Sequence, residues 1–299
     1  MSIKVGVTLP QFTEQPQRFL DGALGAEASG YDSVWVFDHL WPLSGGHDRP
    51  ILESWTSVAH LASVTERVAI GTLVTRSSLR HPVVLAKMVA TVGEFAPGRL
   101  ICALGSGDTL SADENTAFGI PHFEGDDRIN QLASAMEVVT AYTSEGIVGH
   151  TDGFVHIGHL VTSPRPDPTP AIWIGGWSRR LLHLAGEGAD GWNGWGTDVD
   201  RFARAARRVT QSAGDREVEI SWAGQVILSD DDEAARRKLK GRGSASYLVG
   251  GPDSVAEQLQ SFVRAGATHL VVAFPDAGSE GSYELFADAV LPQVRGLMP

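Results

Sequence analysis

The chain has 299 residues, of which 42% are hydrophobic and 20% are charged, a composition typical of a globular protein with a large core. Its formal net charge of -12 disfavours nucleic acid and anionic membranes as the main partners, because both require a basic surface. The sequence shows no signal-peptide pattern and no apolar run near the roughly 18–20 residues of a membrane span, so we expect a cytoplasmic protein. Its one cysteine, Cys102, cannot form an intramolecular disulfide framework.

Short apolar segments alternate with longer segments of helical periodicity along the chain. The predicted strands are residues 3–9, 33–37, 68–74, 100–104, 171–174, 190–193, 218–228 and 269–274. The predicted helices are residues 17–29, 52–64, a segment beginning at 81–82, 129–142, 179–187, 199–211, 232–240, 254–265 and 283–297. Because the strands are nearly continuous apolar runs, they indicate parallel strands covered on both faces. Eight such strand–helix units predict an α/β fold, a (β/α)₈ TIM barrel.

A doubly wound sheet is the alternative fold, but it usually carries a glycine-rich turn after its first strand. Here the first strand is followed by Pro10-Gln11-Phe12, without glycine. Residues 147–157 predict a hairpin around Thr151-Asp152-Gly153, and the proline-rich residues 163–170 suit neither a helix nor a central strand. We therefore expect a single domain, residues 1–299, with an insertion at about 145–170 between the fourth and fifth units.

The active site of such a barrel lies at the C-terminal ends of its strands. Asp38 and His39 follow the second predicted strand, and Trp41 comes two residues later. His39 could exchange protons near neutral pH, or the pair could simply cap a turn and line a wall. No metal is predicted, because His39 alone among the histidines lies clearly at a strand end.

Residues 175–180, GGWSRR, follow the fifth predicted strand and open a helix. Glycines allow close backbone approach, and a helix N-terminus offers unpaired N–H groups, so this segment is a candidate phosphate site. A tight turn with solvated arginines is the alternative. Arg76 and Arg80 after the third strand could add positive charge at the same rim.

Seven segments resemble the bacterial luciferase-like monooxygenase superfamily, and within it the branch that uses the deazaflavin coenzyme F420. They are VWVFDHLW (34–41), RVAIGTLVT (67–75), RHPVVLAKMVATV (80–92), GRLICALGSGD (98–108), DRINQLASAMEVV (127–139), PAIWIGGWSRRLLHLAGEGADGW (170–192) and GGPDSVAEQLQSFVRAGATHLVV (250–272). In order, they cover nearly the whole chain. The resemblance implies a TIM barrel with an insertion and a flavin-type ring in the barrel mouth. The same barrel also serves FMN enzymes.

The resemblance also implies roles for individual residues. Asp38 and His39 would lie beside the ring, Trp41 near the substrate, and a non-prolyl cis peptide at Leu73-Val74 behind the ring. Asp108 stands where sugar-phosphate dehydrogenases of this branch have a glutamate that transfers protons. The implied catalytic residues are His39, Asp38, Asp108 and Trp41. The implied cofactor-binding residues are Asp38, Thr72, Leu73, Val74, Thr75, Gly105, Ser106, Gly107, Gly175, Gly176, Trp177 and Ser178.

The main hypothesis is an F420-dependent oxidoreductase that transfers a hydride between the deazaflavin C5 and a small organic substrate. The alternative is an FMN-dependent monooxygenase that uses O₂ and reduced flavin from a partner reductase, since the chain has no dinucleotide-binding fingerprint of its own. The third hypothesis is a barrel that binds flavin without catalysing a reaction. A homodimer is common in the family, and neither nucleic acid nor membrane is an expected partner.

Overall fold

A computed structural model describes residues 2–42, 46–239, 241–275 and 281–296 of the chain. Its strands are β1 (Lys4–Thr8), β2 (Ser33–Val36), β3 (Ala69–Thr72), β4 (Thr75–Arg76), β5 (Leu100–Gly105), β6 (Ile147–Thr151), β7 (His156–Val161), β8 (Ala171–Gly175), β9 (Gly191–Trp195), β10 (Glu219–Leu228), β11 (Tyr247–Gly250) and β12 (His269–Ala273). Its α-helices are α1 (Pro16–Ala28), α2 (Ser54–Val64), α3 (Pro82–Phe95), α4 (Thr109–Ala117), α5 (Gly125–Ser144), α6 (Arg179–Gly188), α7 (Val199–Ala213), α8 (Asp232–Leu239), α9 (Pro252–Arg264), α10 (Ser282–Leu285) and α11 (Leu291–Arg295). A π-helical turn, Phe286–Val290, joins the last two.

The predicted (β/α)₈ TIM barrel is confirmed. Strands β1, β2, β3, β5, β8, β9, β10 and β12 pair in parallel in this order, and β12 pairs with β1 to close the barrel. The predicted hairpin is also present: β6 and β7 pair antiparallel, with Ile147 opposite Val161. Within the described ranges, no helix is both long and apolar enough to cross a membrane.

Three local features differ from the sequence prediction. Helix α4 forms where no element was expected, and the third predicted strand is divided into β3 and β4. The strand β11 adds to the C-terminal end of β10, whose length of ten residues carries it past its pairing with β12. The predicted ends of two helices, Lys240 and Leu297, lie outside the described residues.

Two indole rings fill the barrel interior. Trp35 of β2 and Trp173 of β8 are buried with their ring centroids 5.3 Å apart, and the ring of His269 meets both edge-on at 5.7 and 5.4 Å. Facing positions on neighbouring strands are glycine: a Cβ on Gly71 would lie 2.2 Å from the Trp35 ring, and one on Gly191 would lie 2.5 Å from the Trp173 ring. The glycines therefore leave the space that the two indoles occupy.

A chain of buried polar groups supports these rings. His269 Nε2 lies 2.8 Å from Ser33 Oγ, and His269 Nδ1 lies 3.2 Å from Glu219 Oε1. Burial alone would raise the pKa of Glu219, but the hydrogen bond and charge of His269, together with Lys4, lower it. Ser33, His269 and Glu219 follow one another as the serine, histidine and acid of a hydrolytic triad do. Ser33, however, is fully buried and also accepts a hydrogen bond from Trp35 Nε1 at 2.7 Å. We interpret the chain as packing of the barrel interior.

Nearer the C-terminal ends of the strands, the interior is lined by small residues. A Cβ on Gly105 would lie 2.3 Å from Val74 Cγ2, and one on Gly175 would lie 2.7 Å from Val74 Cγ1. The peptide bond Leu73-Val74 is cis, as the family resemblance implied. Val74 and Phe37 remain partly exposed, so these two apolar side chains form the floor of the barrel mouth.

A second apolar layer lies between the strands and the helices. Cys102 of β5 belongs to this layer and is fully buried, and burial raises the pKa of its thiol. A deeply buried thiol of raised pKa is an unreactive packing group.

We expect Gly71→Ala to destabilise the protein by about 1–3 kcal/mol, because the added methyl would enter the buried Trp35 ring. Gly25→Ala is the matched control: Gly25 lies in α1, where an added methyl would meet nothing within 4 Å, so the same change should stabilise by about 0.5–1 kcal/mol. Guanidinium unfolding of both variants measures the difference. Equal stability of the two variants would contradict this account of the barrel interior.

Candidate active site

The C-terminal end of β2 is fixed to the end of β1 by a buried glutamine. Gln11 Nε2 donates to the Phe37 carbonyl at 2.8 Å, and the Phe37 N–H donates to Gln11 Oε1 at 2.8 Å. The Phe37 ring then contacts Phe12 at 6.0 Å and, edge-on, Trp195 at 5.9 Å between centroids. An aromatic wall therefore borders this side of the barrel mouth.

Asp38 is 1% exposed, and its carboxylate binds two arginines that follow β3. Arg80 forms a bidentate pair with it at 2.7 and 2.9 Å, and the Arg76 N–H donates to Asp38 Oδ2 at 3.0 Å. Arg80 also pairs with Glu53, whose carboxylate caps the N-terminus of α2. Asp38 therefore holds the ends of β2 and β4 together, and a direct role at the cofactor stays a prediction.

Helix α4 brings a second buried carboxylate, that of Glu114, to the same strand end. Glu114 is fully buried, and its Oε2 lies 2.9 Å from His39 Nδ1 and 2.9 Å from Arg76 Nη2. Its Oε1 accepts the Trp41 N–H at 3.1 Å and the Leu40 N–H. The side chain of His39 keeps 16% of its surface exposed. Glu114 therefore fixes His39 through Nδ1, while the side chain remains partly exposed.

Burial alone would raise the pKa of Glu114. The hydrogen bonds from His39 and Leu40, together with the positive charge of Arg76, lower it below its ordinary value of 4.5. Glu114 is consequently ionised at neutral pH and needs its positive neighbours to offset the cost of burial.

Asp108, the acid predicted from the resemblance, lies at the start of the same helix. It is exposed and caps α4: its Oδ1 accepts the Ser111 N–H at 3.1 Å, and its own N–H donates to Ser111 Oγ at 3.1 Å. Glu114, which the sequence analysis missed, contacts His39. The D-x-x-S capping box at 108–111 and Gly119 with Pro121 downstream are signals that could have predicted α4.

Two of the residues predicted to bind the cofactor turn their hydroxyls away from the mouth. Thr72 Oγ1 donates to the Ala103 carbonyl at 3.1 Å, and Thr75 Oγ1 donates to Thr72 Oγ1 at 2.9 Å. Trp55 Nε1 of α2 donates to Thr75 Oγ1 at 3.1 Å. These buried threonines join a helix to the barrel wall, whereas the intervening Val74 reaches the mouth.

The predicted phosphate segment forms a tight turn from β8 into α6. Gly176 has φ +127°, and a Cβ there would lie 2.7 Å from Leu181, so glycine is required at this position. Ser178 is exposed and caps the helix through the Leu181 N–H at 3.3 Å. Arg180 turns towards α5 and pairs with Asp126 at 2.8 Å. The first turn of α6 still presents backbone N–H groups at the barrel face.

Two tryptophans follow the C-terminal ends of barrel strands, Trp41 after β2 and Trp177 after β8. Trp177 is half-buried, donates from Nε1 to the Trp195 carbonyl at 3.1 Å, and has Arg201 over its ring at 4.3 Å. Trp41 is also half-buried and stacks on His47 at 3.8 Å between centroids.

Across the described part of the chain, no group of three or more His, Cys, Asp or Glu side chains is arranged to hold a metal ion.

The profile of the luciferase-like monooxygenase family matches residues 2–245. The chain belongs to this family. Two F420-dependent glucose-6-phosphate dehydrogenases, from Beutenbergia cavernae and Kineococcus radiotolerans, are each 27% identical to it. The alignments cover 94% of this chain and 94% of the first relative, and 98% of this chain and 97% of the second.

Solved structures share the fold. An F420-dependent secondary alcohol dehydrogenase in complex with an F420–acetone adduct superposes with a TM-score of 0.85 at 19% identity, over 99% of this chain and 100% of that one. A monooxygenase from Streptomyces bottropensis has a TM-score of 0.80 at 22% identity, over 97% of this chain and 99% of that one. At these identities the likeness concerns the barrel architecture.

We expect Asp38→Asn to destabilise the protein by about 3 kcal/mol, because it leaves the Arg80 guanidinium beside a neutral amide in a buried place. The value lies at the low end for a buried pair because Arg80 keeps Glu53 as a partner. Glu233→Gln is the control: it removes an exposed i,i+4 pair with Arg237 and should cost less than about 0.5 kcal/mol. Unfolding free energies from guanidinium titration compare the two, and similar values would argue against the importance of the Asp38 pairs.

Proposed function

We propose that the protein is an F420-dependent oxidoreductase that transfers a hydride between the deazaflavin and a small organic substrate. The observation that carries the proposal is the position of His39 at the end of β2, where a buried carboxylate binds Nδ1 and the side chain keeps part of its surface exposed. The two relatives named as F420-dependent enzymes, aligned over nearly their full lengths, support the choice of cofactor.

The residues at the mouth fit a flat, elongated cofactor that carries a phosphate. Val74 and Phe37 offer partly exposed apolar surface of the kind on which a planar ring packs. Gly175 and Gly176 let the backbone approach a ligand closely, and Ser178 with the first turn of α6 offers donors for a phosphate. Bound F420 would supply the hydride acceptor or donor.

The protein's own contribution is to position the reactants and to exchange a proton. His39 is the group that we expect to give a proton to, or take one from, the substrate oxygen during hydride transfer. The aromatic wall of Phe12, Phe37 and Trp195 gives one side of the mouth an apolar surface, and Trp41 would limit the substrate pocket on the His39 side. Asp108, exposed at the start of α4, is the second candidate for proton transfer.

The substrate need not be the sugar phosphate in the relatives' names. Two arginines follow β3 in the chain, and both already have acidic partners. Arg76 pairs with Glu114, and Arg80 pairs with Asp38 and Glu53. They are therefore not available to bind a substrate phosphate. A panel of glucose 6-phosphate, secondary alcohols and the corresponding carbonyl compounds, assayed in both directions, would identify the substrate class.

The homodimer expected from the resemblance also stays a prediction.

The cofactor can be tested by titrating the purified protein with F420 and with FMN while following tryptophan fluorescence. Trp177 and Trp195 border the mouth, so a bound flavin-type ring should quench part of the emission. We expect saturable quenching by F420 at lower concentration than by FMN. Binding of FMN alone, with oxygen consumption when reduced flavin is supplied, would instead favour the monooxygenase alternative.

The role of His39 can be tested with His39→Ala. We expect the variant to bind F420 with little change and to lose at least about 10²-fold in the rate of hydride transfer, the usual contribution of a general acid or base. The change in visible absorbance on reduction or oxidation of F420 measures the rate. His60→Ala, on the exposed side of α2, is the control. Unchanged turnover in His39→Ala would sink the proposed role, and no turnover in the wild-type protein would favour a barrel that binds without catalysis.

A further inference from the structure

We propose that Glu114 is a positioning residue that fixes the tautomer of His39, with the proton on Nδ1 and with Nε2 as the atom that exchanges protons at the barrel mouth. An ionised carboxylate accepts hydrogen bonds and cannot donate them. Because Glu114 Oε2 lies 2.9 Å from His39 Nδ1, that nitrogen must carry the proton. Within the described part of the chain, Nε2 of the same ring has no hydrogen bond or ion pair with a protein group.

The carboxylate of Glu114 is itself held at both oxygens. Oε1 binds the backbone N–H groups of Leu40 and Trp41, and Oε2 faces His39 and the guanidinium of Arg76. The helix that carries it is fixed in turn, because Arg76 Nη1 donates to Asn115 Oδ1 at 3.2 Å and Asn115 Nδ2 donates to the Pro121 carbonyl at 2.8 Å. Glu114 therefore cannot rotate away from His39 without breaking several buried contacts.

The neighbouring carboxylates are already engaged and do not contact the imidazole. Asp38 binds Arg76 and Arg80, and Asp108 binds Ser111 at the start of α4. Arg76, the charged group packed on the far side of Glu114, favours its ionised form. The tautomer of His39 thus depends on one side chain that is 75 residues distant in sequence.

The consequence for the reaction rests on the proposed function. With a neutral His39, Nε2 has a free electron pair. In the oxidation of an alcohol, Nε2 would accept the O–H proton as the C=O bond forms. Bound F420 would supply the acceptor for the C–H hydride, which carries both electrons of the broken C–H bond. In the reverse direction the proton returns from Nε2 to the new alcohol oxygen. The opposite tautomer would present an N–H to the alcohol and could not accept its proton.

Glu114→Gln tests the proposal because the amide should invert the tautomer. The amide oxygen is needed by the N–H groups of Leu40 and Trp41, so the NH₂ group takes the place of Oε2. It then donates to Nδ1 and leaves the proton on Nε2. Asp113→Asn is the matched control, since it removes an exposed carboxylate from the adjacent position of the same helix.

The direct measurement is the ¹⁵N spectrum of histidine-labelled protein without cofactor, with the His39 signals assigned by their loss in His39→Gln. We expect the proton on Nδ1 in the wild type and in Asp113→Asn, and on Nε2 in Glu114→Gln. Wild-type His39 with its proton on Nε2 would overturn the proposal. If Glu114→Gln does not fold, the wild-type spectrum still decides, because a neutral His39 with its proton on Nε2 would contradict a hydrogen bond from Nδ1 to the ionised Glu114.

Kinetics give a second readout. We expect Glu114→Gln to lower kcat by roughly 10²- to 10⁴-fold, the usual contribution of general acid–base catalysis, because the histidine would hold its proton on the wrong nitrogen. The affinity for F420 should change less than about twofold, because Glu114 is buried behind His39. If Glu114→Gln keeps the kcat and the pH profile of the wild type, the positioning role is refuted. If neither F420 nor FMN supports turnover in the wild type, the proposed function fails, while the tautomer measurement still decides the role of Glu114.

Discussion

The buried charges around Asp38 are the interaction on which the rest of the site depends. Asp38 and Glu114 meet Arg76 and Arg80 where β2, β4, α2 and α4 converge, and Glu53 extends the group to the start of α2. Taking such charges out of water costs several kcal/mol per ion, and mutual attraction offsets this only when the geometry is well defined. The buried charges therefore fix the positions of the side chains around them and add little to the net stability of the fold. They also fix His39, because it follows Asp38 directly in the chain and contacts Glu114.

Much of the barrel could be predicted from the sequence, because each strand is a short apolar run and each helix carries its own periodicity. The location of His39 followed from the rule that barrel sites lie at strand ends. Helix α4 was missed because its nine residues carry few apolar side chains, so they show no helical stripe. Glu114 was missed for a different reason. Its contact with His39 is long-range, and a local pattern cannot indicate which of several acids, Asp108 among them, the fold will bring to the imidazole.

The barrel interior shows how one set of residues limits the depth of the site. Trp35 and Trp173 occupy the half nearer the N-terminal ends of the strands, where Gly71 and Gly191 leave room for them. Beyond them, Val74 fills the space that Gly105 and Gly175 leave. From sequence alone, a strand glycine could make room for a ligand or for a side chain. In this barrel the glycines accommodate protein rings and a valine, so a ligand must bind above Val74 rather than inside the barrel.

The burial of Cys102 has a practical consequence for work on this protein. It is the one cysteine in the chain, and its thiol lies fully inside the layer between strands and helices with a raised pKa. Maleimide reagents act on exposed thiolates, so the folded protein should be nearly inert towards them. A cysteine introduced at a rim position would then be the single reactive point on the molecule. Spin labels or fluorophores could be attached there without first removing a native thiol, and ligand entry could be followed from a chosen side of the mouth.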